Sequence, residues 1–356
     1  IENQLKEKDK TPSSRFVSSY TSHFLENSPI PGVENQWLIA QELVPNISLA
    51  EINSKATQWV TDENLVVVIT APEKEDLIVP DEAAILATIS EAKEAELDAW
   101  VDDFKEDPLL AALPPKGKII KTDKDDKLDI TTFELSNGVK VLVKPTDFKN
   151  DEILLSAYAD GGTSLFEDDK TFAANNISSI IAASGIGDFS KAELDKKLSG
   201  LNVSLRLSIN DISQGFSGNS SPGDFETLLQ LIQLYFKPAR EDAEAFEAYV
   251  SQLENQFKFM RSNPQMVFYD TLYKIATSNS PRFTMIPTEA QLKSLDAQEI
   301  RSMYNQMFET AKGFTFVFVG NLSPDTLKPY LEKYLASLPA TKPAMQWIDR
   351  SPKFPE

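Results

Sequence analysis

A stretch of about 70 residues occurs twice in the chain, and this internal repeat limits the possible folds more than any other feature. Ile1-Glu2-Asn3-Gln4 reappears as Leu253-Glu254-Asn255-Gln256, an offset of 252. At that offset Pro12 falls on Pro264, Tyr20 on Leu272, and Asn27-Ser28-Pro29 on Asn279-Ser280-Pro281. The register then slips by a few residues. The Glu51-Ile52 pair matches Glu299-Ile300, and Val66-Val67-Val68-Ile69-Thr70 matches Phe316-Val317-Phe318-Val319-Gly320. Each copy reads as helix, proline break, helix, Asn-Ser-Pro turn, short helix and hydrophobic strand. Repeats of this kind are units of fold, so both copies are expected to build the same structure.

The second copy follows residues 129–252, which complete its domain; the first has no such segment before it in the chain. The expected organisation is the C-terminal part of one domain at 1–74 and a linker or hinge at 75–128. A complete domain of the same fold follows at 129–340, and 341–356 begins another linker. The chain opens on Ile1 inside a helical pattern and closes in a proline-bearing loop sequence. We therefore expect a fragment of something larger.

In the complete domain, residues 131–143 alternate apolar and polar around Asn137-Gly138, the signature of a two-residue hairpin. A strand is expected at 153–160, ended by Gly161-Gly162, and further strands at 203–209 and 214–220. Helices are expected at 171–184, 191–198, 225–236 and 241–260, the last with Phe246, Val250, Leu253 and Phe257 on one face. Strands and helices in blocks, without strict alternation, argue an α+β fold.

Charge excludes one class of partner. The net charge is −19 with 35 basic side chains against 54 acidic, a poor match to nucleic acid, whose phosphates are held by Lys and Arg. Between Glu73 and Asp107, thirteen acidic and three basic residues give −10, over half the total. The linker therefore holds most of the charge. Within it, residues 91–104 place Leu97, Trp100, Val101 and Phe104 at helical spacing, as in a solvated helix with one packed stripe. An acidic clamp for a basic peptide is the other reading. No apolar run approaches the ~20 residues that span a bilayer. The chain has no cysteine and a single histidine, His23, which excludes disulfides, thiolate zinc sites and any His-rich metal site made by this chain alone.

Three segments in order carry a family resemblance: Asn137-Gly138-Val139-Lys140-Val141, the strand end Ala159-Asp160-Gly161-Gly162-Thr163, and Phe316-Val317-Phe318-Val319-Gly320-Asn321. With the repeat, the chain resembles the insulinase/pitrilysin (inverzincin) zinc metallopeptidases, in particular the bacterial two-halved members. The resemblance implies an insulinase/mitochondrial-processing-peptidase-like α+β domain, a mostly antiparallel sheet with helices packed on one side. It also implies that this chain covers the end of the second and all of the third of four homologous domains.

In that family two histidines and a glutamate of a His-x-x-Glu-His helix, with a later glutamate, make the zinc site. Here the equivalent helix is 171–184, and the motif positions fall near Asn176, Ser179 and Ile180, with Glu254 at about the spacing of the third ligand. The set is degenerate, so no catalytic or metal residue and no cofactor are expected in this chain. Zinc is expected in a missing N-terminal domain. His23-Phe24-Leu25-Glu26-Asn27 imitates the motif, but the repeat aligns His23 with Ile275, far from that helix. Gly161-Gly162-Thr163 and Gly185-Ile186-Gly187 lack the downstream pattern of phosphate loops and read as turns. Tyr269, Tyr273 and Arg282 lie near the Pro281 turn, where they could face a substrate cavity. The family's substrate-gripping Arg and Tyr, however, belong to an absent domain.

The expected function is that of a non-catalytic part of a periplasmic or cell-envelope metalloendopeptidase. It would line a chamber that admits unfolded peptide and carry the hinge, its partners being the remaining domains of the same polypeptide. The alternative is a scaffold or subunit protein of the same fold without peptidase activity. A His-x-x-Glu-His segment upstream of Ile1 would discriminate the two.

Overall fold

The computed structural model describes residues 1–59, 61, 65–71, 77–96 and 107–352. They divide into two units, Ile1–Leu5 with Ser14–Phe104, and Lys6–Ser13 with Lys105–Glu356.

The first unit is helical: α1 (Glu2–Lys6), α2 (Ser13–Glu26), α3 (Val33–Leu43), α4 (Leu49–Trp59) and α5 (Glu82–Glu94). Asp81 caps α5 by accepting from the Ala84 N–H at 2.8 Å. None of α1, α2, α3 or α5 has a buried residue. Residues 66–70, where the repeat predicts a strand, form none, and Val66 and Val68 are 80% and 81% exposed. A strand exists only through its neighbours, and the described residues of this unit offer no ladder to join. The acidic helix α5 starts nine residues before the predicted 91–104 helix. That helix's apolar positions 97–104 lie outside the described residues.

The second unit runs β1 (Ile119–Asp125), β2 (Ile130–Leu135), β3 (Lys140–Pro145), β4 (Ile153–Asp160), α6 (Thr171–Ser184), α7 (Lys191–Lys197), β5 (Val203–Ile209), β6 (Ser213–Ser220) and α8 (Phe225–Tyr235). It continues with α9 (Ala243–Ser262), α10 (Pro264–Ala276), α11 (Glu289–Lys293), α12 (Ala297–Phe308), β7 (Thr315–Gly320) and α13 (Pro324–Tyr330). The seven strands form one sheet in the order β1-β2-β3-β7-β4-β6-β5. Every pairing is antiparallel except β3 with β7. This is the expected α+β architecture.

The sequence pattern explains the layering. Along β4, burial alternates strictly, with Ile153, Leu155, Ala157 and Ala159 buried and Leu154 and Tyr158 about half exposed. One face of the sheet is therefore covered by helices and the other is open. Phe216 of β6 sits among Tyr235, Phe236, Phe308 and Phe314, with ring centroids 5.2–6.2 Å away. Such close approach of β6 to β4 demands glycine: a Cβ on Gly215 would lie 1.9 Å from the Ala157 carbonyl oxygen. The Asn137-Gly138 turn closes the β2–β3 hairpin with Gly138 at φ +84°. Asn137 Nδ2 donates to the carbonyls of Leu335 and Leu338 at 2.7 and 3.2 Å, tying the hairpin to the end of the domain.

Two expectations about the boundaries meet a different structure. The sheet begins ahead of residue 129, because β1 pairs with β2 along its length. The tail beyond residue 340 packs back onto the domain: the Ile348 N–H donates to Ser164 Oγ at 3.0 Å, and Arg350 grips Glu167 through two bonds of 2.7 and 2.8 Å.

The backbone conformation recurs at the matched asparagines of the repeat. Asn27 and Asn279 both take the left-handed conformation, at φ 56° and 59°, a region that Asn enters more readily than most residues. Between this turn and the final segment each copy has two helices, α3 and α4 or α11 and α12, where the sequence suggested one.

Candidate functional site

The helix that the resemblance sets against the family's zinc helix is α6. Its first turns bury Thr171, Ala173, Ala174, Asn176 and Ile177, and its later turns Ile180, Ile181 and Ser184. Asn176 Nδ2 donates to the Phe172 carbonyl at 2.7 Å, one turn back, and its Oδ1 accepts from the Tyr249 hydroxyl of α9 at 2.8 Å. Burial raises the Tyr249 phenol, partly offset by a hydrogen bond with Ser179. Phe172 and Phe257 add a ring contact at 6.3 Å along the same seam. Ser179 is exposed, and Ile180 is 3% exposed in the hydrophobic core.

Glu254 does not join them. Tyr249, Leu253 and Phe257 recur every fourth residue and share one face of α9, whereas Glu254 is turned about 100° from Leu253. It is exposed, beside Lys258, Arg261, Glu289, Leu292 and Lys293 in a surface depression. Glu247 is exposed as well. An amide already bonded on both atoms, a serine, an aliphatic side chain and a carboxylate on another face do not fit zinc, which takes imidazole, thiolate or carboxylate donors converging tetrahedrally. Among the described residues no group of three or more His, Cys, Asp or Glu side chains is placed to hold a metal ion.

His23 has a local partner. Its Nδ1 lies 2.7 Å from the Ser28 carbonyl oxygen, so the proton sits on Nδ1 and the ring closes the turn around Asn27. Arg282 is equally committed. Its guanidinium donates to Asp168 at 2.6 Å, to the Thr163 carbonyl at 3.3 Å and to the Phe166 carbonyl. Tyr269 and Tyr273 of α10 instead stand 39% and 49% exposed. The structure therefore does not bring Arg282 together with the two tyrosines.

Sequence reasoning missed the constellation around Ser164. Thr163, Ser164, Thr171, Arg282, Trp347 and Arg350 line a cavity of about 150 Å³ at the C-terminal end of β4. The Arg350 guanidinium beside Glu167 holds that carboxyl below its usual range, and the arginine is raised in turn. No local motif could have signalled it, because the pair is separated by 183 residues. Chemically the arrangement fastens the tail and the Pro281 turn to the end of the sheet. Its lining includes Ser351, whose hydroxyl donates to the Asp349 carboxylate two residues back at 2.6 Å.

Residues 294–356 match the family described as the Peptidase M16 inactive domain. A zinc protease PQQL-like protein of Arabidopsis thaliana is 24% identical over 339 residues, covering 95% of this chain and 33% of its own length. A probable zinc protease PqqL of Haemophilus influenzae is 23% identical, covering 94% and 36%. The solved periplasmic protease PqqL from Escherichia coli superposes with a TM-score of 0.61 at 18% identity, over 99% of this chain and 39% of that one. The chain thus spans about a third of the length of the curated relatives it matches. Sequence relatives, matched domain and fold agree in one likeness: the chain is similar to M16 peptidases.

Proposed function

We propose that this chain is the non-catalytic part of a PqqL-like zinc metalloendopeptidase acting on unfolded peptide in the periplasm or cell envelope. The observation that carries the reading is the match of residues 294–356 to the inactive domain of the family. The filled α6–α9 seam supports it, because the donors there suit packing and not metal. In this reading residues 1–74 finish one domain, the acidic segment that follows is the hinge between halves, and the complete domain lines the substrate chamber. Zinc and the water it activates belong to another domain of the longer polypeptide.

Metal analysis and a peptidase assay on an unstructured peptide test it directly. The 356-residue chain should hold well under ~0.1 zinc per chain after dialysis and cleave nothing, whereas the longer polypeptide should hold about one zinc and cleave. One tightly held zinc in the short chain would overturn the reading. A longer polypeptide that is zinc-free and inactive would instead favour a scaffold of the same fold.

A further inference from the structure

Helix α10 is amphipathic in the wrong sense for a helix on the rim of a finished domain. Its only buried residue is Asp270. The Asp270 carboxylate accepts from the backbone N–H groups of Met285 and Ile286, both at 3.0 Å, and pairs with Lys274 at 2.5 Å. At 100° per residue, Met266, Asp270 and Lys274 share the inner side, while Phe268, Leu272 and Ile275 fall on the opposite one. Those three apolar side chains are 62%, 50% and 63% exposed, flanked by Tyr269 at 39%. A contiguous apolar stripe of this size on a folded unit usually marks an interaction surface.

The repeat indicates what covers it. At the offset of 252, Phe16 falls on Phe268, Val17 on Tyr269 and Tyr20 on Leu272, while the inner positions Asp270 and Lys274 fall on Ser18 and Ser22. Both copies therefore keep apolar residues at the Phe268, Tyr269 and Leu272 positions and polar ones at Asp270 and Lys274, while Ile275 falls on His23. A chance patch on one domain would not recur at matched positions in another. The stripe belongs to the fold, as expected where domains of that fold pack on one another. The chain spans about a third of its relatives' length, leaving room in such polypeptides for further domains.

We propose that the outer face of α10 is the docking surface for another domain of the same fold, supplied by the longer polypeptide. This rests on the reading of the chain as part of a larger protein. The absence of cysteine makes the test direct. Phe268→Cys, Leu272→Cys and Ile275→Cys each place a single thiol on the face, with Glu247→Cys as an exposed control. Maleimide labelling is followed by peptide mass spectrometry in this chain and in the longer polypeptide.

In this chain all three thiols should label at the control rate. In the longer polypeptide they should label at least roughly tenfold more slowly, as covered surface does. Hydroxyl-radical footprinting at Phe268 and Tyr269 of the unsubstituted proteins gives the same comparison without risk of misfolding. Equal reactivity in both proteins would overturn the proposal while leaving the parent reading intact. Protection that already appears in the short chain and grows with its concentration would also overturn it, since a second copy would then be the occupant. If the source cell makes only a 39.7 kDa chain, the parent reading falls and the proposal with it.

Discussion

Asp270 is a buried carboxylate whose role is set by what it accepts. Desolvation pushes its pKa up, but the Lys274 ammonium and the N–H groups of Ile286 and Met285 outweigh that and leave it lowered. A folded-state pKa below the unfolded value, ~3.9, means that the carboxylate stabilises the fold fully above about pH 4. That contribution is lost as pH falls through the lowered folded value. Asp270→Ala, which strands two backbone donors, should cost about 2–3 kcal/mol at pH 7. Urea unfolding monitored by near-UV circular dichroism should show the gap to the parent chain narrowing below about pH 4. A gap independent of pH would contradict the assignment. At this scale the candidate site was only partly legible. That Asn176, Ser179 and Ile180 are an amide, a hydroxyl and an aliphatic side chain is plain from the sequence. That Tyr249 would complete Asn176, and that Glu254 would turn away, depend on the rotation of α9 about its axis, which spacing did not fix.

Single strands and helices were the most legible level, and the misses among them have physical causes. β4 and β5 have the bounds their alternation implied, and α6 those of its apolar run. β1 was missed because it is an edge strand, Ile-Ile-Lys-Thr-Asp-Lys-Asp, exposed at six of its seven positions. Charges on such a strand discourage pairing with other molecules, and they also erase the hydrophobic alternation that marks a strand. The element still matters to the domain. A chain beginning at residue 129 would leave β2 as a bare edge with Phe133 and Leu135 at the border of the core. It should unfold at lower urea than one beginning at residue 107, and associate more readily in light scattering. Equal midpoints would mean that β1 adds nothing beyond cover.

At the scale of the whole molecule the two units differ in what they bury. The second contains the entire hydrophobic cluster, from Leu110 to Leu338, whereas α1, α2, α3 and α5 bury no residue. The repeat made the kinship of the units legible. It could not show that, among the described residues, one copy would have a sheet to join and the other none, because strand formation is a property of neighbours.

The consequence lies in residues 65–70. Leu-Val-Val-Val-Ile-Thr is β-branched at five of its six positions, uncharged and free of proline, and Leu65 to Ile69 are 46–81% exposed. Such a hexapeptide readily stacks on copies of itself. Until it is enclosed it is a self-association hazard, which would make production of the protein a race between enclosure and precipitation. Val67→Lys should act as a gatekeeper, raising the soluble yield of this chain several-fold and leaving the urea midpoint of the second unit unchanged. An unchanged yield would place the hazard elsewhere. In a longer polypeptide able to enclose the segment, the same lysine should instead lower the yield, because there it would occupy a strand.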